Sequence, residues 1–137
     1  MKNSYFTNLN LPKTDFALLL FRIAIGGMML VHGIPKLIQL FSGEEIVFAN
    51  PIGIGVTASL ALSVVAEVIC SGLIILGLGT RLAVIPLIIN MAVAVLIYHA
   101  TDGFQAQELG ALYLICYVVL FYSGSGKYSL DYKFLKK

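Results

Sequence analysis

A few polar side chains stand inside long apolar segments of this sequence, and they are its candidates for chemistry. Seven residues share this setting: Arg22, His32, Lys36, Glu67, Asn90, His99 and Glu108. Placing an ionisable group at membrane depth is costly, so such a residue marks a functional site by default. Imidazole and carboxylate groups together can donate and accept protons near neutral pH. These residue types therefore indicate proton exchange with a bound small molecule.

Four of these residues are expected at one membrane level, towards the outer ends of three segments: His32, Lys36, His99 and Glu108. We predict that they converge on one outward-facing pocket, which Glu67 also lines. Lys36 would favour an anionic group on the ligand. Glu108 has a second explanation, because a helix N-terminus stabilises a carboxylate placed about one turn into the helix. No metal site is predicted, since neither His-x-x-x-His nor Glu-x-x-His spacing occurs.

Helical spacing predicts an ion pair deeper in the membrane. Arg22 shares a stripe of the first segment with Gly26 and Gly33, small residues that let another helix approach closely. Glu67 lies on the serine-bearing stripe of the second segment. We predict that Arg22 and Glu67 form a pair, which offsets the cost of burying each charge. Two alternatives stay open: the pair only holds the bundle together, or Arg22 extends to the membrane surface and serves no site.

The third segment carries two polar residues that compete for the interior. Asn90 and His99 are nine residues apart and therefore lie on opposite faces of a straight helix. We predict that His99 faces the interior, because an imidazole in hydrocarbon is costlier than a shielded amide. A bend at Pro86, or unwinding near His99, would change this relation.

Four apolar segments must position these residues, and they fill most of the chain. They span residues 16–40, 56–78, 82–98 and 104–122, each near the roughly 20 residues that a helix needs to cross a bilayer. The hydrophobic fraction is 59%, against about 45–50% in soluble domains. We therefore predict an all-α fold: an integral membrane four-helix bundle with antiparallel helices, forming a single domain over residues 1–137.

The distribution of basic residues predicts the orientation of this bundle. Seven of the nine Lys and Arg residues lie before the first segment, between the second and third, or after the fourth: Lys2, Lys13, Arg81, Lys127, Lys133, Lys136 and Lys137. In a four-span protein these regions share one side, which the positive-inside rule assigns to the cytoplasm. Both termini are therefore predicted to be cytoplasmic. The net charge of +2 is too small to indicate nucleic-acid binding.

Motifs along nearly the whole chain are similar to those of a known family. They are Leu20–Gly26, Val31–Leu37, Glu67 with Gly72 and Leu76-Gly77, Thr80–Leu82, His99, Glu108–Tyr113 and Gly124–Asp131. On these motifs the chain resembles the DoxX family of small bacterial four-helix membrane proteins, related to the DoxD and DoxX subunits of thiosulfate:quinone oxidoreductase. The resemblance implies a location in the bacterial inner (plasma) membrane and, more loosely, a redox setting.

Two classes of function follow from these observations. The resemblance implies an accessory subunit of a membrane-associated oxidoreductase system that binds a quinone or a similar small molecule. The sequence contains no flavin, haem or dithiol motif, so we predict no built-in cofactor, and a partner or the ligand would supply the redox centre. The alternative is a non-enzymatic protein: a conduit for protons or small solutes, or a membrane assembly factor. Expected partners are the lipid bilayer, a soluble or membrane-bound oxidoreductase and a second copy of the chain. Whether the chain is itself an enzyme stays open.

Overall fold

The computed structural model of the protein describes residues 11–136, in which helices are joined by turns and loops, and no β-strand occurs. Four helices are long and apolar enough to cross a membrane: α1 (Leu11–Phe41), α2 (Val56–Leu76), α3 (Thr80–Tyr98) and α4 (Phe104–Ser123). A short fifth helix, α5, spans Leu130–Leu135. The all-α class and the four apolar spans are confirmed. Lys2 and Lys137, on which the orientation prediction partly depends, lie outside the described residues.

The buried face of α1 follows the predicted stripe. Arg22, Gly26, Met29 and Gly33 are all buried on it. At Gly33 the backbones of α1 and α2 come close together, since a β-carbon there would lie 2.9 Å from the Cβ of Glu67. Small residues allow this kind of approach between membrane helices. The glycine therefore sets how near the side chains of α1 can come to Glu67.

Helices α2 and α3 each contain a π-helical segment, at Val65–Cys70 and at Ala94–Tyr98. In such a segment the backbone hydrogen bonds join residues five apart, so the turn holds one residue more than in an α-helix. The N–H of His99, for example, donates to the carbonyl of Ala94 at 2.9 Å. The extra residue rotates the side chains that follow by about 100° relative to a regular helix. Glu67 lies within the first of these segments.

The chain that follows α4 closes one end of the bundle. The N–H groups of Gly79 and Thr80, at the start of α3, donate to the Asp131 carboxylate at 2.7 and 3.1 Å. The N–H of Lys127 donates to Asp15 of α1 at 3.1 Å. These contacts bring together the first part of α1, the turn between α2 and α3, and the residues after α4. We call this the closed end of the bundle.

Next to the closed end, large side chains fill the space between the helices. Ile74 of α2, Leu87 of α3, and Tyr117 and Leu120 of α4 have no exposed surface. They belong to one cluster of buried apolar residues to which all four long helices contribute. This cluster is the packed core of the bundle and leaves the other half free to hold a cavity.

Candidate functional site

A cavity of about 910 Å3 lies among the four long helices, in the half of the bundle that carries the connection between α1 and α2, residues 42–55. Most of its lining is aliphatic or aromatic. The lining residues with polar or ionisable side chains are His32, Lys36, Ser59, Ser63, Glu67, Asn90, Tyr98, His99 and Tyr113. A largely apolar cavity with a few convergent polar groups is the usual form of a small-molecule site.

Glu67 lies at the base of this cavity and is 2% exposed. Its carboxylate accepts hydrogen bonds from the Lys36 ammonium at 2.6 and 2.8 Å, and from the Asn90 amide at 2.8 Å. The Ser63 hydroxyl donates to the amide oxygen of Asn90 at 3.1 Å. A buried carboxylate is tolerated when its charge is paired and its oxygens are hydrogen-bonded, and both conditions hold here. We call Lys36, Glu67 and Asn90 the polar cluster.

The predicted ion pair between Arg22 and Glu67 is wrong. Arg22 is fully buried, and its guanidinium donates to the backbone carbonyls of Ile74, at 3.3 Å, and of Tyr128. Ile74 follows Glu67 by about 10 Å along the axis of α2, so Arg22 reaches the closed end instead. The last carbonyls of a helix carry partial negative charge and attract a cation. Arg22 therefore joins α1, the end of α2 and the chain after α4, and Lys36 takes the place beside Glu67.

His32 lines the cavity from α1 although the residue as a whole is exposed. Its ring stands edge-on to the ring of Tyr113 on α4, with 5.9 Å between the centroids. Tyr113 is buried and stacks on Tyr117, with 6.0 Å between the centroids. The contact of His32 with Tyr113 thus forms the wall of the cavity between α1 and α4.

Asn90 and His99 both line the cavity, so the prediction that only one of them faces the interior is wrong. The π-helical segment between them is the physical reason. With one extra residue in a turn, a separation of nine residues corresponds to about 80° around the axis rather than about 180°. Nδ1 of His99 lies 2.9 Å from the Asp102 carboxylate. In a neutral imidazole this contact favours a proton on Nδ1 and leaves Nε2 as an acceptor.

Glu108 lies apart from the other predicted site residues. It is exposed on α4 and is not part of the cavity lining. It is the fifth residue of α4, close to the positive end of the helix dipole, where a carboxylate is stabilised. Its expected convergence with His32, Lys36 and His99 is therefore wrong. Within residues 11–136 no group of three or more His, Cys, Asp or Glu side chains could hold a metal ion.

Comparisons with known proteins agree with a membrane protein of this size. The model of the DoxX family matches residues 17–100, more than half of the chain. The chain belongs to the DoxX family. An uncharacterised protein of Haemophilus influenzae is 30% identical, over 93% of this chain and 98% of its own length. An uncharacterised membrane protein of Mycobacterium tuberculosis is 31% identical, over 85% of this chain and 80% of its own length. No solved structure matches the chain significantly.

The DoxX match extends from α1 through α3 and includes the entire polar cluster. It also includes His32 and His99, whereas the Tyr113 wall and the closed end after α4 lie beyond it. Asn90 is a residue of this site that we predicted to face away from the interior of the bundle. The amide side chain of Asn90 was the feature of the sequence that indicated a role in the site, because an amide inside an apolar segment needs a hydrogen-bond partner.

Proposed function

We propose that this DoxX-family membrane protein binds a quinone, or a small aromatic carbonyl compound like it, and acts as an accessory subunit of a membrane-associated oxidoreductase system. The observation that carries the proposal is the polar cluster at the base of a largely apolar cavity. Such a site holds the flat apolar part of a ligand between its walls and fixes the ligand through a few polar groups.

The side chains of the cluster fit a ligand of this kind. An ammonium group has three N–H bonds, and the contacts of Lys36 with the two Glu67 oxygens leave at least one of them for a ligand carbonyl. The Lys36 side chain is 29% exposed, while Glu67 is 2% exposed, so Lys36 is the group that a ligand would meet. A bound quinone would supply the redox chemistry. Lys36, Glu67 and the nearby imidazoles would donate and accept the protons that accompany it.

The pairing within the cluster alters the charge preference expected from Lys36 alone. Nζ of Lys36 lies 2.6 Å from Glu67, so the two formal charges balance. An anionic ligand at Lys36 would therefore meet an ammonium whose charge the buried Glu67 carboxylate already neutralises. The cavity therefore suits a neutral ligand with an oxygen that accepts a hydrogen bond, which describes a quinone better than an organic anion.

A solute conduit, the alternative class of function, has less support from this geometry. A conduit needs a passage with two ends. Here the fully buried side chains of Ile74, Leu87 and Tyr117 pack between the helices on the far side of the polar cluster. This layer closes the cavity at that end, as a binding site requires.

The proposal includes an orientation in the bacterial plasma membrane. The four long helices would run antiparallel, and both termini would lie in the cytoplasm. Arg81 in the first turn of α3 donates to the carbonyl of Tyr122 at the end of α4, at 3.3 Å. Arg81 and the basic residues after α4 therefore share the closed end, and the positive-inside rule places that end at the cytoplasmic face. An oxidoreductase partner would supply the electron-carrying centre.

Analysis of the lipids that co-purify with the protein tests the proposal. Wild-type protein extracted from its native membranes in mild detergent should carry quinone, detected by mass spectrometry of the lipid extract. The double variant Lys36→Met/Glu67→Gln should lose it, and Glu108→Gln, which changes an exposed carboxylate outside the cavity, should retain it. Wild-type protein without quinone that conducts protons or small solutes in liposomes would instead establish the conduit. Co-purification of an oxidoreductase tests the partner.

A further inference from the structure

We propose that the cavity opens sideways into the lipid, between α2 and α3, and receives a ligand that carries a long hydrocarbon chain. The polar head of the ligand would lie at the polar cluster, and its chain would leave through this opening. The inference rests on the proposed function and adds to it the class of ligand, a membrane lipid, and the route by which the ligand arrives.

The two helices separate in the half of the bundle that holds the cavity. The first part of α2, Val56–Val64, packs on α1, whereas α3 packs on the π-helical segment and on the last turns of α2. The hydrogen bond from Ser63 to Asn90, at 3.1 Å, crosses the space between α2 and α3. The gap between Val56–Val64 and α3 therefore ends at polar side chains.

Aliphatic side chains surround this gap. Leu62 and Val65 of α2 and Ile89 of α3 all line the cavity, yet they are 58%, 43% and 59% exposed. Each of the three contacts the cavity and is also part of the outer surface of the helices, so the cavity reaches the surface of the bundle between α2 and α3, and we call this opening its mouth. All three belong to membrane-spanning segments, so the mouth that they surround faces hydrocarbon rather than water.

The route from water is covered by the connection between α1 and α2. Val47, Phe48 and Ile52 of this connection line the cavity at the end of the bundle opposite the closed end. The Gln39 amide holds the connection by donating to the carbonyl of Val47 at 3.0 Å, and the Lys36 ammonium lies 5.5 Å from the centroid of the Phe48 ring. The cavity thus has an apolar cover on the side of the water and an aliphatic mouth on the side of the lipid. This combination favours a ligand that comes from the bilayer.

The depth of the cluster also fits a lipid. Glu67 lies about 16 Å along α2 from its first residue, which is near the middle of a hydrocarbon layer about 30 Å thick. The cavity volume of about 910 Å3 is at the upper end of the range of about 300–1,000 Å3 for ligand pockets. It can take a ring and the first part of a chain, while the rest of the chain stays among the lipid tails.

Titration of the full-length protein in lipid nanodiscs tests the inference with two probes. One is a benzoquinone ring that bears a decyl chain, and the other is the same ring with a methyl group in its place. The variants Leu62→Trp and Ile89→Trp narrow the mouth from each side. Ile69→Trp on α2 and Leu96→Trp on α3 are matched controls, because both residues are more than half exposed and neither lines the cavity.

The mouth variants should weaken binding of the decyl probe by about tenfold or more, equivalent to about 1.4 kcal/mol, and leave the methyl probe nearly unchanged. Retained binding of the methyl probe also shows that each variant is folded. Unchanged decyl binding in both mouth variants would overturn the inference and spare the proposed function. The same holds if only Leu109→Trp blocks the decyl probe, since Leu109 lines the cavity from α4 and is 49% exposed. Wild-type protein that binds neither probe would overturn both.

Discussion

At the scale of single residues, the balance of charge around Glu67 organises the site. Glu67 is almost completely buried in a span, and its carboxylate is stable there because the Lys36 ammonium and the Asn90 amide both donate to it. The guanidinium of Arg22 is also buried, and it donates to different acceptors, the backbone carbonyls of Ile74 and Tyr128. Each buried charge of the bundle thus has separate partners, which makes its contribution separable by mutation.

Replacing Lys36 with Met should destabilise the protein strongly, because it leaves the Glu67 carboxylate buried without a cation. Loss of one partner of a buried pair costs about 3–5 kcal/mol, and the lower value is expected here since Lys36 keeps some exposure. The double variant Lys36→Met/Glu67→Gln should recover most of this loss. Thermal unfolding in detergent measures the coupling. Arg22→Leu combined with Glu67→Gln is the control, and its effects should add within about 0.5 kcal/mol. Additive effects of the Lys36 and Glu67 changes would contradict the pairing.

The partners of Arg22 show what residue patterns could not predict. Spacing along α1 correctly placed Arg22 on the buried stripe with Gly26 and Gly33. Its acceptors, however, are backbone carbonyls, one of them 106 residues away in the chain. Every residue has such a carbonyl, so no side-chain type in the sequence marks these two. The Glu67 carboxylate was the partner that the sequence suggested for Arg22, but in the structure it pairs with Lys36.

At the scale of the elements, close packing of α1 on α2 and the π-helical segments of α2 and α3 shape the site. Gly33 brings the two helices together just before Lys36, so the ammonium can reach Glu67. The segment Val65–Cys70 contains Glu67, and the segment Ala94–Tyr98 turns His99 towards the cavity that Asn90 also lines. Local departures from α-helical geometry often occur at functional sites, and both departures lie beside this cavity.

The substitution Gly33→Ala tests the importance of the close approach. The added methyl group would lie 2.9 Å from the Glu67 Cβ and 3.0 Å from its backbone carbon, so the helices must move apart. We expect a loss of about 1–3 kcal/mol in stability, as for overpacking in a core, together with weaker quinone binding. Gly27→Ala is the matched control, since nothing lies within 4 Å of the added methyl group. Equal melting temperatures for the two variants would contradict the account.

The periodicity of an α-helix predicted the spans and the buried stripes but not the relation of Asn90 to His99. The argument for opposite faces assumed 3.6 residues per turn throughout α3. A π-helical turn depends on how a helix packs against its neighbours, and the run Ala94–Tyr98 contains no residue that distinguishes it from ordinary helix. Glu108 was misplaced for a related reason, since depth in the membrane says nothing about which side of α4 faces inwards.

At the scale of the whole molecule, the bundle has one closed end and one half with a cavity. Asp131 binds the start of α3, and Arg22 binds the carbonyl of Tyr128, so the chain after α4 is part of the fold rather than a loose tail. The basic residues Arg81 and Lys127 lie at this closed end. If the closed end faces the cytoplasm, the cavity belongs to the outer half of the membrane.

Reporter fusions test this orientation directly. A reporter active only in the cytoplasm should be active when fused after residue 137 and inactive when inserted between residues 42 and 55, because most basic residues flank the closed end. A reporter active only outside the cytoplasm should give the opposite pattern. Activity of the second reporter at the C-terminus would contradict the proposed topology.

Equilibrium binding of quinone to the purified protein in nanodiscs tests the central claim, that the polar cluster holds the head of a neutral carbonyl ligand. Wild-type protein should bind decyl-substituted benzoquinone saturably. Lys36→Met/Glu67→Gln, which keeps the net charge of the cluster at zero, should bind it about tenfold to a hundredfold more weakly, because a hydrogen bond from a charged donor is worth about 1.5–3 kcal/mol. Glu108→Gln should bind as wild type does. Equal affinity of the wild-type and double-variant proteins, or no saturable binding by the wild type, would contradict the account.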